Sequence, residues 1–121
     1  MANDYDTRAR NLGVDAITAA VTRIALHSGD PGAADTASNE LTGGSPAYAR
    51  KAVTWGAAAS GTADETSSPV FDVAAGSTVA WISGWNTAAT QRYFKKQVTS
   101  EAFGAQGTYT LTDLDLDLND A

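Results

Sequence analysis

The sequence predicts a mainly β protein, an antiparallel β-sandwich of jelly-roll type with one N-terminal α-helix. Two observations predict it. Short runs with period-two alternation recur along the chain, and turn signals rich in Gly, Pro, Asp and Ser separate them at intervals of roughly ten residues. That spacing fits a sandwich or barrel far better than alternating strands and helices around a parallel sheet. The 121 residues fit one domain, 1–121, of a size that can bury its own core. Within it we expect a helix over about 4–20 and a sandwich over about 21–118, interrupted by a long loop at 28–46.

The helix comes first. Tyr5, Ala9, Leu12, Ala16, Ile17 and Ala20 recur at i, i+3 and i+4, with Asp and Arg opposite them. Asn3, Asp4 or Asp6 supplies the N-cap, and acidic residues in the first turn suit the helix dipole. Gly13 weakens the middle by about 1 kcal/mol relative to Ala. The apolar face is narrow and built of small residues, so the helix is expected to lie on a larger surface.

From Val21 the period changes to two. Thr22 to His27 alternates, with Ile24 and Leu26 on one face, until Ser28-Gly29-Asp30-Pro31-Gly32 turns the chain. The loop that follows is unusually long for a compact domain, which marks it as functional or as ordered by a partner. Gly43-Gly44-Ser45-Pro46 closes it. Strand pattern then resumes at Tyr48–Trp55, Gly61–Ser67, Val70–Ala74, Thr78–Trp85, Gln91–Thr99 and Gly107–Leu118. Thr78–Trp85 is the best core strand, with Val79, Trp81, Ser83 and Trp85 on one face. In the last run, Tyr109 and Leu111 are odd whereas Leu114, Leu116 and Leu118 are even. A regular strand would send these groups to opposite faces, so a bulge or bend at Thr112-Asp113 is expected, or else a second apolar surface.

Composition narrows the function. Fourteen acidic residues oppose eight basic ones, a net charge of −6, and the basic residues are dispersed. Nucleic-acid binding by phosphate neutralisation is therefore not expected. The absence of cysteine excludes disulfides, thiolate metal sites and cysteine nucleophiles. The N-terminus lacks the basic and apolar regions of a signal peptide, and no apolar run approaches a membrane span, so no membrane partner is expected.

No catalytic constellation emerges. His27, Ser28 and Asp30 are too close along one strand and turn to adopt triad geometry, and no GxSxG elbow exists. Glu40, Glu65 and Glu101 could offer a carboxylate pair only if the fold joined them, and each lies in a polar loop or turn. Asp113, Asp115 and Asp117 resemble the opening of an EF-hand loop, but Leu118 stands where Gly is needed and no Glu follows. They are read as solvating an edge, with a loose divalent-cation site as the alternative. Trp55, Trp81 and Trp85 are read as core in preference to a sugar-stacking platform. Arg50-Lys51 and Lys95-Lys96 are either solvated strand ends or contacts for an acidic partner. No cofactor and no metal is expected.

A series of segments then suggests a family. The helix is followed by LHSGDPG (26–32), NELTGGSPAYARKAVTW (39–55), PVFDVAAGSTVAWISGW (69–85) and FGAQGTYTLTDLDLDL (103–118). Together, over roughly residues 10–118, they resemble small virion proteins of tailed bacteriophages. In those proteins a DPG turn after a helix and strand, a Glu/Thr-Gly-Gly/Tyr/Arg segment and an F-x-x-x-G-x-Y ending recur. The chain departs between Ser83 and Gln97, which is short and carries extra basic residues. Such proteins are commonly labelled tail-fibre, minor tail or minor capsid proteins. The resemblance implies a non-enzymatic structural protein with no catalytic residues to carry over.

Two functions follow. The first is a capsid decoration or minor capsid protein that binds and stabilises the assembled head, on the capsid exterior of the virion. The second is a tail-associated fibre or tip component that binds the host surface, with sugar as a candidate ligand. The expected partners are the major capsid protein or other virion proteins and further copies of the chain, a trimer foremost. The long loop reads as an attachment arm ordered on docking, with Asp30, Pro31, Asn39, Glu40, Tyr48, Arg50 and Lys51 as candidate interface residues. On that reading, deleting residues 33–42 leaves a folded protein that no longer enters particles.

Overall fold

The structure, a computed structural model, describes residues 5–112 and 114–118. It is mainly β with a single N-terminal helix: α1 (Thr7–Ala20), β1 (Arg23–His27), β2 (Lys51–Ala52), β3 (Thr62–Asp64), β4 (Val70–Val73), β5 (Thr78–Trp85), β6 (Arg92–Ala102), β7 (Gly107–Thr110) and β8 (Asp115–Asp117). All pairings are antiparallel. One sheet has the order β2-β1-β5-β6, while β3-β8 and β4-β7 form two-stranded ribbons. Two four-stranded sheets of a jelly roll do not form among the described residues.

α1 begins at Thr7, later than the expected residue 4, and Asp6 is its N-cap without a side-chain capping bond. The candidate caps Asn3 and Asp4 lie outside the described residues. The buried face also differs from expectation. Val14 is fully buried and Ile17 partly, whereas Tyr5, Ala9, Leu12 and Ala16 face solvent. Covering the branched chains of Val14, Ile17 and the following Val21 removes more apolar area from water than covering a stripe rich in alanine.

The inner face of the four-stranded sheet carries Ile24, Leu26 and Ile82, which pack with Phe71, Val73, Val79, Val53, Leu111 and Leu114 in one cluster. Each fully buried side chain of this size contributes about 2 kcal/mol relative to exposure. Gly84 belongs here because a Cβ at that position would lie 2.2 Å from the Phe94 ring. The expected break in the last strand is present: β7 ends at Thr110, β8 begins at Asp115, and Leu111 and Leu114 are both buried. Asp113 itself lies outside the described residues. The two segments pair with different strands, β7 with β4 and β8 with β3.

The outer face of the same sheet is also covered. The register puts Ala25, His27, Trp81, Ser83 and Trp85 on this face, and β1 is buried from Ile24 to His27 on both sides. The cover is the 28–50 segment. β1 therefore lacks the one-sided exposure that alternation in its sequence suggests.

Candidate functional site

The DPG turn directs the chain back across the outer face. Gly32 has φ +94°, a conformation that favours glycine, and its N–H donates to Asp30 Oδ1 at 2.8 Å. Pro31 is buried beneath the turn. From there the segment is anchored to β6 and β1. The Arg92 guanidinium donates to the Gly32 and Thr36 carbonyls at 2.9 and 2.7 Å, and the Arg92 amide donates to Asp35 Oδ1. Lys95 donates to Asp30 at 2.8 Å and lies 5.8 Å from the centre of the Trp81 ring. The Lys95 ammonium and the Gly32 amide hold the Asp30 carboxyl below its ordinary value. This pair is exposed and contributes little to stability.

Beneath the segment sits a buried polar relay. His27 Nδ1 is 2.9 Å from the Ser38 carbonyl, and Nε2 is 2.7 Å from Ser83 Oγ. Trp85 Nε1–H donates to the same Ser83 oxygen at 2.7 Å. A carbonyl only accepts, so Nδ1 carries the proton, and Ser83 gives its hydroxyl hydrogen to Nε2. Burial lowers the His27 pKa, against the Ser38 carbonyl and the Glu40 carboxylate, which favour the charged form. With both ring nitrogens engaged, His27 is a tether between strand and loop.

The third element is a Glu40–Tyr48–Arg50 cluster. Arg50 makes a two-pronged contact with Glu40, both distances 2.9 Å, and stacks 4.1 Å above the Trp85 ring. The Tyr48 hydroxyl donates to Glu40 at 2.8 Å and accepts from the Leu26 amide at 2.9 Å. Burial pushes the Glu40 carboxyl up, but the hydrogen bonds from Arg50 and Tyr48 outweigh it and leave the pKa lowered. Burial raises the Tyr48 phenol, whereas the bond to Glu40 raises Arg50. The Leu41 amide then donates to the Leu26 carbonyl, and the Ser28 amide to the Asn39 carbonyl. The open edge of β1 is thereby closed along its length.

The seven candidate interface residues thus separate. Glu40, Tyr48 and Arg50 join in one internal cluster and Pro31 is buried, so these four hold the surface up. Asp30 and Asn39 are exposed on it, with the Asn39 amide donating to the Asp30 carbonyl at 3.1 Å. Lys51 lies apart, on the β2 edge, half-buried. Lys96 is exposed on β6. Ser83, Arg92 and the stacked Trp85 complete the site and were not among the candidates. Ser83 carried one visible signal, a lone hydroxyl between Trp81 and Trp85 on a core strand.

The other constellations disperse. Glu40 is held by Arg50, Glu65 Oε1 accepts from the Leu114 amide, and Glu101 is exposed at the end of β6. A polar depression of about 300 Å³ is lined by Asp64, Thr66, Ser67, Ser68 and Asp115. Among the described residues no group of three or more His, Cys, Asp or Glu side chains could hold a metal ion. Asp115 stands opposite Asp64 in the β3–β8 register and Asp117 opposite Thr62. Trp85 is buried, Trp81 lies under Lys95, and Trp55 donates its indole N–H to the Val21 carbonyl. No helix among the described residues is long and apolar enough to cross a membrane.

These features define a small β-rich structural module whose long connecting segment is a built surface layer. The model of the family described as podophage GP4 fiber I protein gp80 matches residues 11–112. The chain belongs to that family, and so to the structural proteins of the tailed-phage virion. Comparisons with curated proteins and with solved structures give no match.

Proposed function

We propose that this protein is a tail-fibre component of a podophage virion, without enzymatic activity, that acts by binding other virion proteins or the host surface. The carrying observation is the match to a fibre family over residues 11–112. It favours the tail-associated reading over capsid decoration. The site is consistent with a passive role. Its one histidine is consumed by two internal hydrogen bonds, and its one two-pronged ion pair, Arg50 to Glu40, is spent within the 28–50 layer. The tryptophans are engaged in the same way, so a sugar-stacking platform is not part of this reading. The contact surface is the exposed outer side of the layer, where Asp30, Asn39 and Lys95 lie. Labelling the protein in intact particles and imaging them by electron microscopy tests the reading. Label confined to the tail in low copy number supports it; label spread over the head overturns it in favour of decoration.

A further inference from the structure

Arg10 stands behind an apolar groove with no carboxylate of its own. It lies on the half-buried side of α1, and its Nε is shielded from solvent without a hydrogen-bond acceptor. Asp6, one turn earlier, forms no ion pair with it; the ion pairs among the described residues are Arg50–Glu40 and Lys95–Asp30. Asp15 is already occupied, accepting from the Ala58 amide at 2.9 Å. In front of Arg10 is a depression of about 250 Å³, lined also by Tyr5, Ala9 and Leu118. Tyr5 is 62% exposed and Leu118 44%, and Leu12, one turn beyond Ala9 and 67% exposed, extends the apolar rim. The walls are fixed. The Leu118 amide donates to the Gly61 carbonyl at 3.0 Å, and the Gly61 amide donates to Asn11 Oδ1 on α1 at 2.8 Å. Gly13 makes room for the leucine, whose Cδ1 lies 2.8 Å from where a Cβ would stand.

We propose that this groove holds an acidic, apolar segment of a different virion protein. A carboxylate of that segment, from Asp, Glu or a chain end, pairs with the Arg10 guanidinium, and its neighbouring apolar side chains lie against Tyr5, Leu12 and Leu118. Charge selects this occupant. A guanidinium takes a carboxylate in a planar contact, and an apolar rim strengthens the pair by excluding water. The carboxylate also gives the shielded donor the acceptor it lacks. A polyanion is a poor alternative, because Arg8 is the one other basic residue on α1 and the chain carries a net charge of −6. A second copy across a two-fold axis is equally poor, since it sets the same patch against itself, guanidinium facing guanidinium. The groove is built from α1 and the end of β8, whereas the 28–50 layer is anchored to β1, β5 and β6, so this is a second contact surface. It is small and pre-formed, so each contact is weak and gains strength by repetition in an assembly.

Photo-cross-linking in intact particles tests this. The full chain carries p-benzoylphenylalanine in place of the exposed Ala9, and cross-linked peptides are identified by mass spectrometry. A cross-link to a different virion protein, at a segment holding a carboxylate among apolar residues, is expected. Its yield per incorporated copy should fall at least about tenfold in Arg10→Glu and be largely kept in Arg10→Lys. Circular dichroism of the purified variants checks folding. Should Arg10→Glu fail to fold, Leu12→Glu carries the test, since Leu12 is exposed and its charge would still repel the segment. Cross-links confined to copies of this chain, including its own residues 119–121, overturn the proposal. So do no cross-link at all, a partner segment without a carboxylate, or a yield indifferent to both Glu variants. None of these outcomes depends on whether the protein sits on the tail or the head, so this proposal and the tail-fibre reading fail separately.

Discussion

His27 shows how one buried polar residue can set a solution property. Its neutral form is bonded on both sides, and burial lowers its pKa below the ordinary 6.5. The unfolded chain therefore takes up a proton at a higher pH than the folded one. Just below pH 6.5 the unfolded state gains that proton while the native state does not, so stability falls on acidification until the folded imidazole itself protonates. Glu40 and Asp30 have the opposite linkage. Their lowered pKa values stabilise the fold above about pH 4.5 and 3.8, and that contribution is lost only at lower pH. The two windows are separable. Unfolding midpoints in denaturant should decline from pH 7 to pH 5 in the wild type, and the decline should vanish in His27→Gln. Equal slopes in the two proteins would mean that His27 is not the titrating group. Ser83 is inseparable from this behaviour, since the Ser38 carbonyl fixes Nδ1 as the protonated nitrogen and the Ser83 hydroxyl then donates to Nε2.

At the scale of elements, the strands were largely legible and the loop was not. β1, β4 and β5 lie within a residue or two of the expected runs because Asp-Pro-Gly, Pro69 and Gly76 punctuate them, and β7 begins at the expected Gly107. The phase change between Leu111 and Leu114 was likewise visible as a parity conflict, and it divides β7 from β8. β6 runs on to Ala102, beyond the expected Thr99, through a register irregularity opposite Val79 and Trp81 that no local pattern announces. The layer at 28–50 was hidden because its order comes from distant partners. Arg92, Lys95, Ser83 and Trp85 are more than thirty residues from the segment they fix, and a polar Gly- and Ala-rich stretch carries no period of its own. This changes the expectation for deleting residues 33–42. The deletion removes Ser38, Asn39, Glu40 and Leu41, which leaves His27 Nδ1 and the Ser28 and Leu26 backbone groups without partners and Arg50 without its carboxylate. Each buried polar group left unpaired costs about 1–3 kcal/mol. Several at once approach the whole stability of a domain, about 5–15 kcal/mol. The deleted protein should be unfolded by circular dichroism at 25 °C; a native-like cooperative melt would show that the segment is the detachable arm its composition suggests.

For the whole molecule, these contacts decide whether the layer and the body are one cooperative unit or two. Lifting the layer would expose Pro31, Leu41 and the Trp85 ring, all buried, and break the His27–Ser38 bond and the stacking of Arg50 on Trp85 together. At about 1.5–3 kcal/mol for each large apolar side chain, with the unpaired polar groups added, lifting costs as much as unfolding the domain. Local opening is then no easier than global opening, and the layer belongs to the most stable part of the structure. Amide hydrogen exchange reads this directly. The Ser28, Leu41 and Val53 amides, which donate to Asn39, Leu26 and Thr22, should exchange as slowly as those of the β1–β5 ladder and share its dependence on denaturant. An arm hinged at DPG and GGSP would instead release Ser28 and Leu41 orders of magnitude faster than Ala25 or Ile82. A fibre component whose contact surface is presented by such a layer carries it pre-formed, so ordering entropy is not a cost of docking.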